Sequence, residues 1–195
     1  MTNTTYKLDL PLRTTEDPDP AVAALLAGPK KALGMVPNMY AAMANFPGLL
    51  ETYSFGYDRF RKTSGFSMAE QEIIFLTISR ANGCTYCVAA HSMIADTMSK
   101  VPVEVTDAIR ADAPIADARL QALRVFTDIM VRSRGNPTAP EAEAFLAAGY
   151  AKEQILAVLL AISVKTISNY ANHLFHTEVD SAFAHRAWQD PAVTA

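Results

Sequence analysis

The chain contains 195 residues, of which half are apolar and 19% are charged, and its formal net charge is −3. This length suffices for one sizeable hydrophobic core, and the low charged fraction favours association of copies through a buried interface. The slight negative charge and the lack of a basic cluster in the sequence argue against binding to nucleic acid or to an anionic membrane surface.

The N-terminal sequence lacks the basic start and the apolar run of a secretory signal peptide. The longest mostly apolar run, residues 155–164, stops at Lys165 and is about half as long as the ~20 residues that a membrane span needs. A cytoplasmic location is therefore the default prediction. In that reducing compartment, Cys84 and Cys87 indicate a redox or metal motif rather than a structural disulfide.

The chain is predicted to begin with an extended arm over residues 1–20, because this stretch is polar and contains three prolines. Residues 21–195 are predicted to form a single all-α domain. Three predicted helices open it: one over residues 21–33 closed by Gly34, one that begins around Pro37, and one from Pro47 in which apolar residues recur at helical spacing.

The next predicted helix begins with a capping box, in which Ser67 is the N-cap and Glu70 the third helical residue. It is predicted to run to about Ala81, where Asn82-Gly83 is a natural stop. Glu72 lies in this helix beside an otherwise apolar run. A carboxylate on an apolar face needs a partner or a function.

No convincing alternating strand pattern occurs in the sequence, so the fold class is predicted to be all-α. The remaining predicted helices are one that begins at or next to Cys84 and runs to about Met98, one from Val101 to about Ala111, and those over 117–132, 140–148, 153–173 and 180–188.

Two stretches resemble each other at an offset of 84 residues, Leu76-Thr-Ile-Ser79 and Leu160-Ala-Ile-Ser163. A duplicated helical unit and a chance match are both open explanations. At this offset Glu72, Cys84, Cys87 and His91 correspond to Leu156, Ser168, Ala171 and Phe175.

The segment from Cys84 to His91 carries the most specific chemical pattern. Since each helical residue turns by about 100°, Cys87 lies roughly 60° and His91 roughly 20° from Cys84, which predicts one common face. A helix N-terminus stabilises a thiolate, and C-x-x-C thiols in such positions have lowered pKa values.

These residues suit a two-cysteine peroxide reducer. Such a protein needs one thiolate to attack the O–O bond, a second thiol to condense with the resulting sulfenic acid, and an acid–base system. Cys84 and Cys87 supply the thiols, whereas Glu72 and His91 supply the proton-handling groups. On an apolar face the pKa of Glu72 is expected to be raised into the range useful for proton transfer.

The pattern of Glu72 followed by Cys84-x-x-Cys87-x-x-x-His91 resembles the alkylhydroperoxidase core of the carboxymuconolactone decarboxylase superfamily. Two further stretches, Val36-Pro-Asn-Met-Tyr40 and Asn169-Tyr-Ala-Asn-His173-x-x-x-Thr-Glu-Val-Asp180, resemble the peroxidase-related branch of this superfamily. Together they span most of the chain beyond the first 30 residues.

The resemblance implies an all-α AhpD-like helical bundle, association as trimers or larger assemblies, and reduction of organic or hydrogen peroxides by an external lipoyl-type or thioredoxin-type dithiol. It assigns the attack to Cys87, the resolving step to Cys84, and proton relay to Glu72 and His91. The logic of thioredoxin would instead make Cys84 the nucleophile. No cofactor and no resident metal are predicted.

One residue departs from the superfamily pattern. The best-known members carry a histidine directly before the second cysteine, where this chain has Tyr86. With a pKa of about 10, tyrosine is a poor proton relay near neutral pH. Weaker activity or a different substrate is therefore expected, and Tyr86 is a candidate substrate-binding residue.

Other interpretations remain open from the sequence. Cys84, Cys87, His91 and Glu72 could bind zinc, although structural zinc sites usually draw ligands from two separated segments. The cysteines could be inert core residues, or part of a non-enzymatic redox module. The superfamily name also allows a decarboxylase acting on a carboxylated lactone, but such an enzyme has no evident use for a C-x-x-C pair.

Several other residues are assigned to packing from the sequence alone. His173 and His176 form an H-x-x-H pattern that is predicted to be structural. The methionines around residues 35–43 and 93–98, together with Tyr53 and Tyr57, are predicted to fill the core.

Overall fold

The computed structural model describes residues 5–190, and this part of the chain is helical without any β-strand. The all-α prediction is confirmed. The helices are α1 (Pro20–Leu33), α2 (Asn38–Met43), α3 (Pro47–Thr63), α4 (Met68–Ala81), α5 (Thr85–Thr97), α6 (Val103–Arg110), α7 (Ala118–Arg132), α8 (Ala139–Ala147), α9 (Lys152–Phe175) and a 3-10 helix, Ser181–Arg186.

Local sequence signals place the ends of these helices. The Ser67 hydroxyl accepts a hydrogen bond from the Glu70 amide at 3.3 Å, and the Glu70 carboxylate accepts one from the Ser67 amide at 2.8 Å. The predicted capping box is therefore confirmed. Gly34 ends α1 with φ of 76°, in the left-handed region that glycine adopts at little steric cost.

Some helix boundaries differ from the prediction because the backbone leaves the helical conformation at the flanking residue. Pro37 is the N-cap of α2 rather than part of it. The helix predicted to begin at or next to Cys84 does so: α5 begins at Thr85, and Cys84 is its N-cap, with φ of −85° and ψ of 95°. The predicted last helix is a 3-10 helix confined to Ser181–Arg186.

Helix α4 lies at the centre of the bundle, packed against α5, α6, α7 and α9. Every residue from Glu70 to Ser79 is buried, so the helix has no solvent-facing side over this length. The prediction that Glu72 is buried among apolar residues is correct, but neighbours on several helices surround it.

Helix α9 is 24 residues long, and its length and mean hydropathy of 1.3 over an 18-residue window would by themselves permit a membrane span. The apolar part is therefore longer than the run identified in the sequence. In the fold, α9 packs against α2, α3, α4 and α5, and its buried residues include Lys165, Ser168, Asn169 and Asn172. These polar side chains face the protein interior.

A mostly apolar cluster surrounds the cysteine helix. Cys84, Cys87 and Tyr86 belong to it together with buried residues of α1, α2, α3 and α9. Helix α2 reaches the cysteine segment through the Met39 amide, which lies 3.4 Å from the Tyr86 hydroxyl, and α9 contributes Val164 and Ala171 to the same cluster.

The segment before α1 crosses the bundle. The Leu8 amide donates to the carbonyl of Leu174 at 2.8 Å, and the Arg13 amide donates to that of Ala41 at 3.0 Å. The first four residues of the predicted arm lie outside the described residues. The division into an arm and a single domain stays a prediction.

The internal sequence match does not extend to the backbone. The chain breaks between α4 and α5 at residues 82–84, whereas the equivalent residues 166–168 lie inside the continuous helix α9. A duplicated unit with the same helix–break–helix geometry is therefore not present at this offset.

Candidate active site

Both cysteines are buried free thiols at the start of α5. Cys84 is 0% exposed and Cys87 is 2% exposed. Because Cys84 has a non-helical backbone, the helical phase predicted for it does not apply. Cys87 and His91, one turn apart, do share a face of α5.

Glu72 lies between a guanidinium and an imidazole. Arg61 of α3 forms an ion pair with Oε1 of Glu72, and Oε2 lies 2.8 Å from Nδ1 of His91. Arg61 is also held by the Tyr57 hydroxyl at 2.6 Å and the Gln71 side chain at 3.1 Å. The buried carboxylate therefore has a cation on one side and a ring nitrogen on the other.

The expected rise in the pKa of Glu72 is wrong. Burial alone acts to raise this pKa, but His91 and Arg61 favour the carboxylate by charge and by hydrogen bonding, and the pKa is lowered. Glu72 is thus a charged hydrogen-bond acceptor near neutral pH. The sequence-based expectation considered only desolvation.

His91 is held as a neutral ring in one tautomer. Its Nε2 lies 3.0 Å from the Lys165 ammonium, which has no acceptor, so Nε2 must accept that hydrogen bond. Nδ1 then carries the proton and donates it to Glu72. Burial lowers the pKa of His91 and the charge of Lys165 lowers it further, against the opposing effect of Glu72.

Lys165 is the site residue that the sequence-based prediction missed. It lies in the middle of α9 and is 0% exposed. Its ammonium contacts His91 and lies 5.6 Å from the centroid of the Phe75 ring. A lysine within a long apolar helix was the available signal, since lysine is rarely buried without a partner.

The surroundings of Cys87 favour its thiolate. Burial acts to raise the pKa of Cys87, yet this pKa lies well below its ordinary value. Hydrogen bonding with Cys84 and the positive charge of Lys165 lower it, and His91 adds to the effect. For Cys84, burial and the neighbouring Cys87 raise the pKa well above the ordinary value. The two thiols are therefore electrostatically unequal.

Two polar side chains of α9 also contact the sulfurs. The Asn172 amide nitrogen lies 3.3 Å from Sγ of Cys87 and 3.6 Å from Sγ of Cys84. The Ser168 hydroxyl lies 3.9 Å from Sγ of Cys87. Helix α9 thus supplies Lys165, Ser168 and Asn172 to a site whose cysteines lie on α5.

A cavity of about 520 Å³ opens beside Cys87. Cys87, His91, Glu72 and Lys165 line it, whereas Cys84 does not. Much of the remaining wall consists of methionine and aromatic side chains: Met35, Met39, Met68, Met93, Met98, Tyr40, Tyr53, Tyr57, Tyr86 and Phe183. Among these, Tyr86 was predicted as a possible substrate-binding residue, whereas Tyr53, Tyr57 and methionines such as Met39 were predicted to be packing residues only.

Tyr86 lines the cavity, and its hydroxyl forms hydrogen bonds that connect three parts of the chain. The hydroxyl donates to Oδ2 of Asp180 at 2.5 Å and is 3.4 Å from the Met39 amide. The same carboxylate accepts hydrogen bonds from the Asn38 amide at the start of α2. Tyr86 therefore ties α5 to α2 and to the C-terminal segment.

The geometry disfavours the zinc interpretation. Among the described residues, no three His, Cys, Asp or Glu side chains are grouped as a metal site would require. Nε2 of His91 is directed at a lysine ammonium, which would repel a metal cation. His173 and His176 are both exposed and end α9, so they do not form a buried structural pair.

Comparison with known proteins agrees with this arrangement. Residues 47–128 match the carboxymuconolactone decarboxylase family. The chain therefore carries a carboxymuconolactone decarboxylase domain. The domain includes Arg61, Glu72, both cysteines and His91, while Lys165 and the other contacts from α9 lie outside the matched residues. No curated protein sequence matches the chain.

Solved structures show that the carboxymuconolactone decarboxylase domain lies within an AhpD-like fold. An AhpD-core, peroxidase-related protein from Ralstonia eutropha JMP134 has a TM-score of 0.78 and 22% identity, over 89% of this chain and 93% of that one. A peroxidase-related protein from Silicibacter sp. TM1040 has a TM-score of 0.76 and 23% identity, over 92% and 94%.

A third similar structure is a cysteine-to-alanine variant of the debrominase Bmp8 in complex with 2,3,4-tribromopyrrole. Its TM-score is 0.72 at 16% identity, over 95% of this chain and 96% of that one. At these identities the likenesses show the fold, and the predicted AhpD-like bundle is confirmed.

Proposed function

We propose that the protein is a thiol-dependent peroxidase in which Cys87 attacks the peroxide. One observation carries the proposal: Cys87 is the cysteine that lines the cavity, and it lies beside the buried charge of Lys165. A thiolate is the nucleophilic form of cysteine, and an enclosed cavity delivers the substrate to it.

The first step oxidises Cys87. Its thiolate attacks one peroxide oxygen of ROOH, the O–O bond breaks, and the products are a sulfenic acid and an alkoxide that takes up a proton to become ROH. Lys165 is the charged donor beside the reacting sulfur, since its ammonium contacts His91 and its charge acts on Cys87. We assign the proton to Lys165, with His91 as its acceptor partner.

Glu72 has a different role from the proton relay expected from the sequence. Its pKa is lowered, so it stays charged and accepts the Nδ1 proton of His91. That hydrogen bond fixes the tautomer that presents Nε2 to Lys165. We therefore propose that Glu72 orients His91, and that Arg61 holds Glu72 in place.

The second step forms a disulfide. The Cys84 thiol attacks the sulfenic sulfur of Cys87, an S–S bond forms, and the hydroxyl leaves with the Cys84 proton as water. An external dithiol, of lipoyl or thioredoxin type, then reduces the disulfide and is itself oxidised. Both sulfurs lie within reach of the same Asn172 amide, which supports their direct reaction.

The proposal includes a cytoplasmic homo-oligomer, trimeric or larger, as expected from the sequence. Exposed apolar side chains on α3 and α9 supply a surface for such contacts, among them Phe55, Leu156, Leu159 and Tyr170. The net charge of −3 supports the expectation that neither nucleic acid nor an anionic membrane is a partner.

The test measures consumption of cumene hydroperoxide or hydrogen peroxide in the presence of a dithiol. Wild-type protein is expected to turn over, and Cys87→Ser is expected to be inactive. Cys84→Ser is expected to form one sulfenic acid per chain and then stop. Wild-type turnover by Cys87→Ser would refute the mechanism. If Cys87→Ser formed one sulfenic acid per chain and Cys84→Ser formed none, the attack would be assigned to Cys84.

A second candidate function is reductive dehalogenation of an apolar aromatic compound. The favouring observation is the cavity, which at about 520 Å³ and with aromatic walls exceeds the needs of hydrogen peroxide. In that reaction a carbon–bromine bond is replaced by carbon–hydrogen, bromide leaves, and the two thiols become a disulfide. Bromide release from a bromopyrrole, assayed beside peroxide consumption, separates the two functions.

The decarboxylase alternative has less support from the site. A carboxylated lactone requires a free cation, whereas Arg61 is paired with Glu72 and Lys165 is engaged with His91 and Cys87. The remaining wall of the cavity is largely apolar.

A further inference from the structure

Asn172 of α9 holds both reacting sulfurs with one side chain. It is 4% exposed, and its amide nitrogen lies 3.3 Å from Sγ of Cys87 and 3.6 Å from Sγ of Cys84. An amide nitrogen carries two hydrogens, so it can donate to both sulfurs at once. Both sulfurs therefore lie at the nitrogen end of the Asn172 amide.

The other end of this amide has no partner. Oδ1 of Asn172 is buried, and no hydrogen-bond donor reaches it in the described part of the protein. A buried acceptor without a donor is unfavourable, and native proteins rarely retain one without a reason. A Cys87 thiolate has no proton to donate to Oδ1. Both sulfurs lie at the nitrogen end of the Asn172 amide, so neither cysteine supplies the missing donor.

A sulfenic acid on Cys87 would supply that donor. Its S–O–H group places a hydroxyl next to the sulfur that Asn172 already contacts, and Oδ1 and Nδ2 of Asn172 share one carbon. We propose that Asn172 is a catalytic residue that stabilises the Cys87 thiolate through Nδ2 and then accepts the sulfenic acid hydroxyl through Oδ1. This inference rests on the proposed function and extends it.

Two consequences follow for the reaction. Before oxidation, the Nδ2 hydrogen bond favours the charged form of Cys87, which accelerates attack on the peroxide. After oxidation, Asn172 holds the Cys87 sulfenic acid beside the Cys84 thiol, so the S–S bond forms and water leaves before a second peroxide arrives. Loss of Asn172 should therefore slow attack and favour further oxidation to the sulfinic acid.

The test compares Asn172→Leu with Asn169→Leu. Asn169 lies on the same helix and is fully buried, but it accepts a hydrogen bond from Asn82 at 2.9 Å and contacts neither sulfur, so it is a matched control. In Asn172→Leu, alkylation of Cys87 by iodoacetamide at neutral pH is expected to be about tenfold slower, the loss of one charge-assisted hydrogen bond. The ratio of disulfide to sulfinic acid after one equivalent of peroxide is expected to fall by a similar factor.

Asn172→Asp separates the two ends of the amide. The aspartate retains an acceptor but loses the donor and adds a negative charge near the thiolate, so Cys87 alkylation should be slower than in Asn172→Leu. Asn169→Leu controls for partial unfolding, because it also replaces a buried asparagine of α9 by leucine. The inference would be overturned if Asn172→Leu had the alkylation profile across pH and the product ratio of the wild type. It would also be overturned if Asn169→Leu changed both measurements as much as Asn172→Leu does.

Failure of the underlying function gives a different result. If wild-type protein forms no sulfenic acid with any peroxide, the peroxidase function and the Oδ1 contact are both refuted. The alkylation profile of Cys87 still decides whether Nδ2 stabilises the thiolate, since iodoacetamide reacts without peroxide.

Discussion

Replacement of Lys165 by methionine removes a single charge from the site while keeping a side chain of similar length. Lys165 is fully buried and its positive charge lowers the pKa of Cys87. A hydrogen bond to a charged group contributes about 1.5–3 kcal/mol. With about 1.4 kcal/mol per factor of ten, the acid dissociation of the Cys87 thiol should be roughly 10- to 100-fold less favourable in Lys165→Met.

The assay is alkylation of Cys87 by iodoacetamide from pH 5 to 10, followed by mass spectrometry of the peptide. Because the pKa of Cys87 is lowered in the wild type, its rate should already be on a plateau at neutral pH. In Lys165→Met the rise of the rate to this plateau should move to higher pH, because the thiol has lost the positive charge that lowers its pKa.

The free energy of unfolding is the control measurement for Lys165→Met. Methionine leaves no charge to be buried in α9, although Nε2 of His91 loses its donor. These effects oppose each other, so the free energy of unfolding should stay within about 2 kcal/mol of wild type. A wild-type alkylation profile in a folded Lys165→Met protein would refute the electrostatic role of Lys165.

Two further predictions concern the groups around the cavity. Glu72→Gln should lower the free energy of unfolding by about 1.5–3 kcal/mol at pH 7. The pKa of Glu72 is lowered from 4.5 in the folded protein, so its contribution to stability is present above pH 4.5 and is lost as the pH falls. Urea unfolding should therefore show a smaller stability difference between wild type and Glu72→Gln at pH 3 than at pH 7. An equal difference at both pH values would contradict this. Tyr86→Phe keeps the ring but loses the hydroxyl bonded to Asp180 at 2.5 Å. Urea unfolding should show a loss of about 1.5–3 kcal/mol, and an unchanged stability would show that the Asn38 amide suffices to hold Asp180.

The local parts of the fold could be predicted from the sequence because their causes are local. Ser67 and Glu70 are three residues apart and satisfy each other's backbone groups, so the start of α4 is encoded there. The same holds for the placement of Cys87 in the first turn of α5 and of His91 one turn later. Short-range spacing was therefore sufficient to place Cys87 and His91 on one face of α5.

The electrostatic state of those members could not be predicted in this way. The pKa of Glu72 depends on Arg61 from α3 and His91 from α5, which only the packing of three helices brings together. Lys165 marked the end of an apolar run in the sequence, yet it points into the protein on α9. A hydrophobic pattern predicts that a residue is buried, but it does not predict which charged residue from a distant part of the sequence will contact it.

The site draws its two halves from separate parts of the chain. The thiols and the imidazole lie within residues 47–128, which match the family, whereas Lys165, which contacts the imidazole, and Asn172, which contacts the thiols, lie on α9. Evolution can therefore retune the nucleophile by substitutions on α9 without altering the cysteine motif. A chain with an intact C-x-x-C and histidine but an apolar residue in place of Lys165 would be assigned to the same family, and its cysteines would be far less reactive.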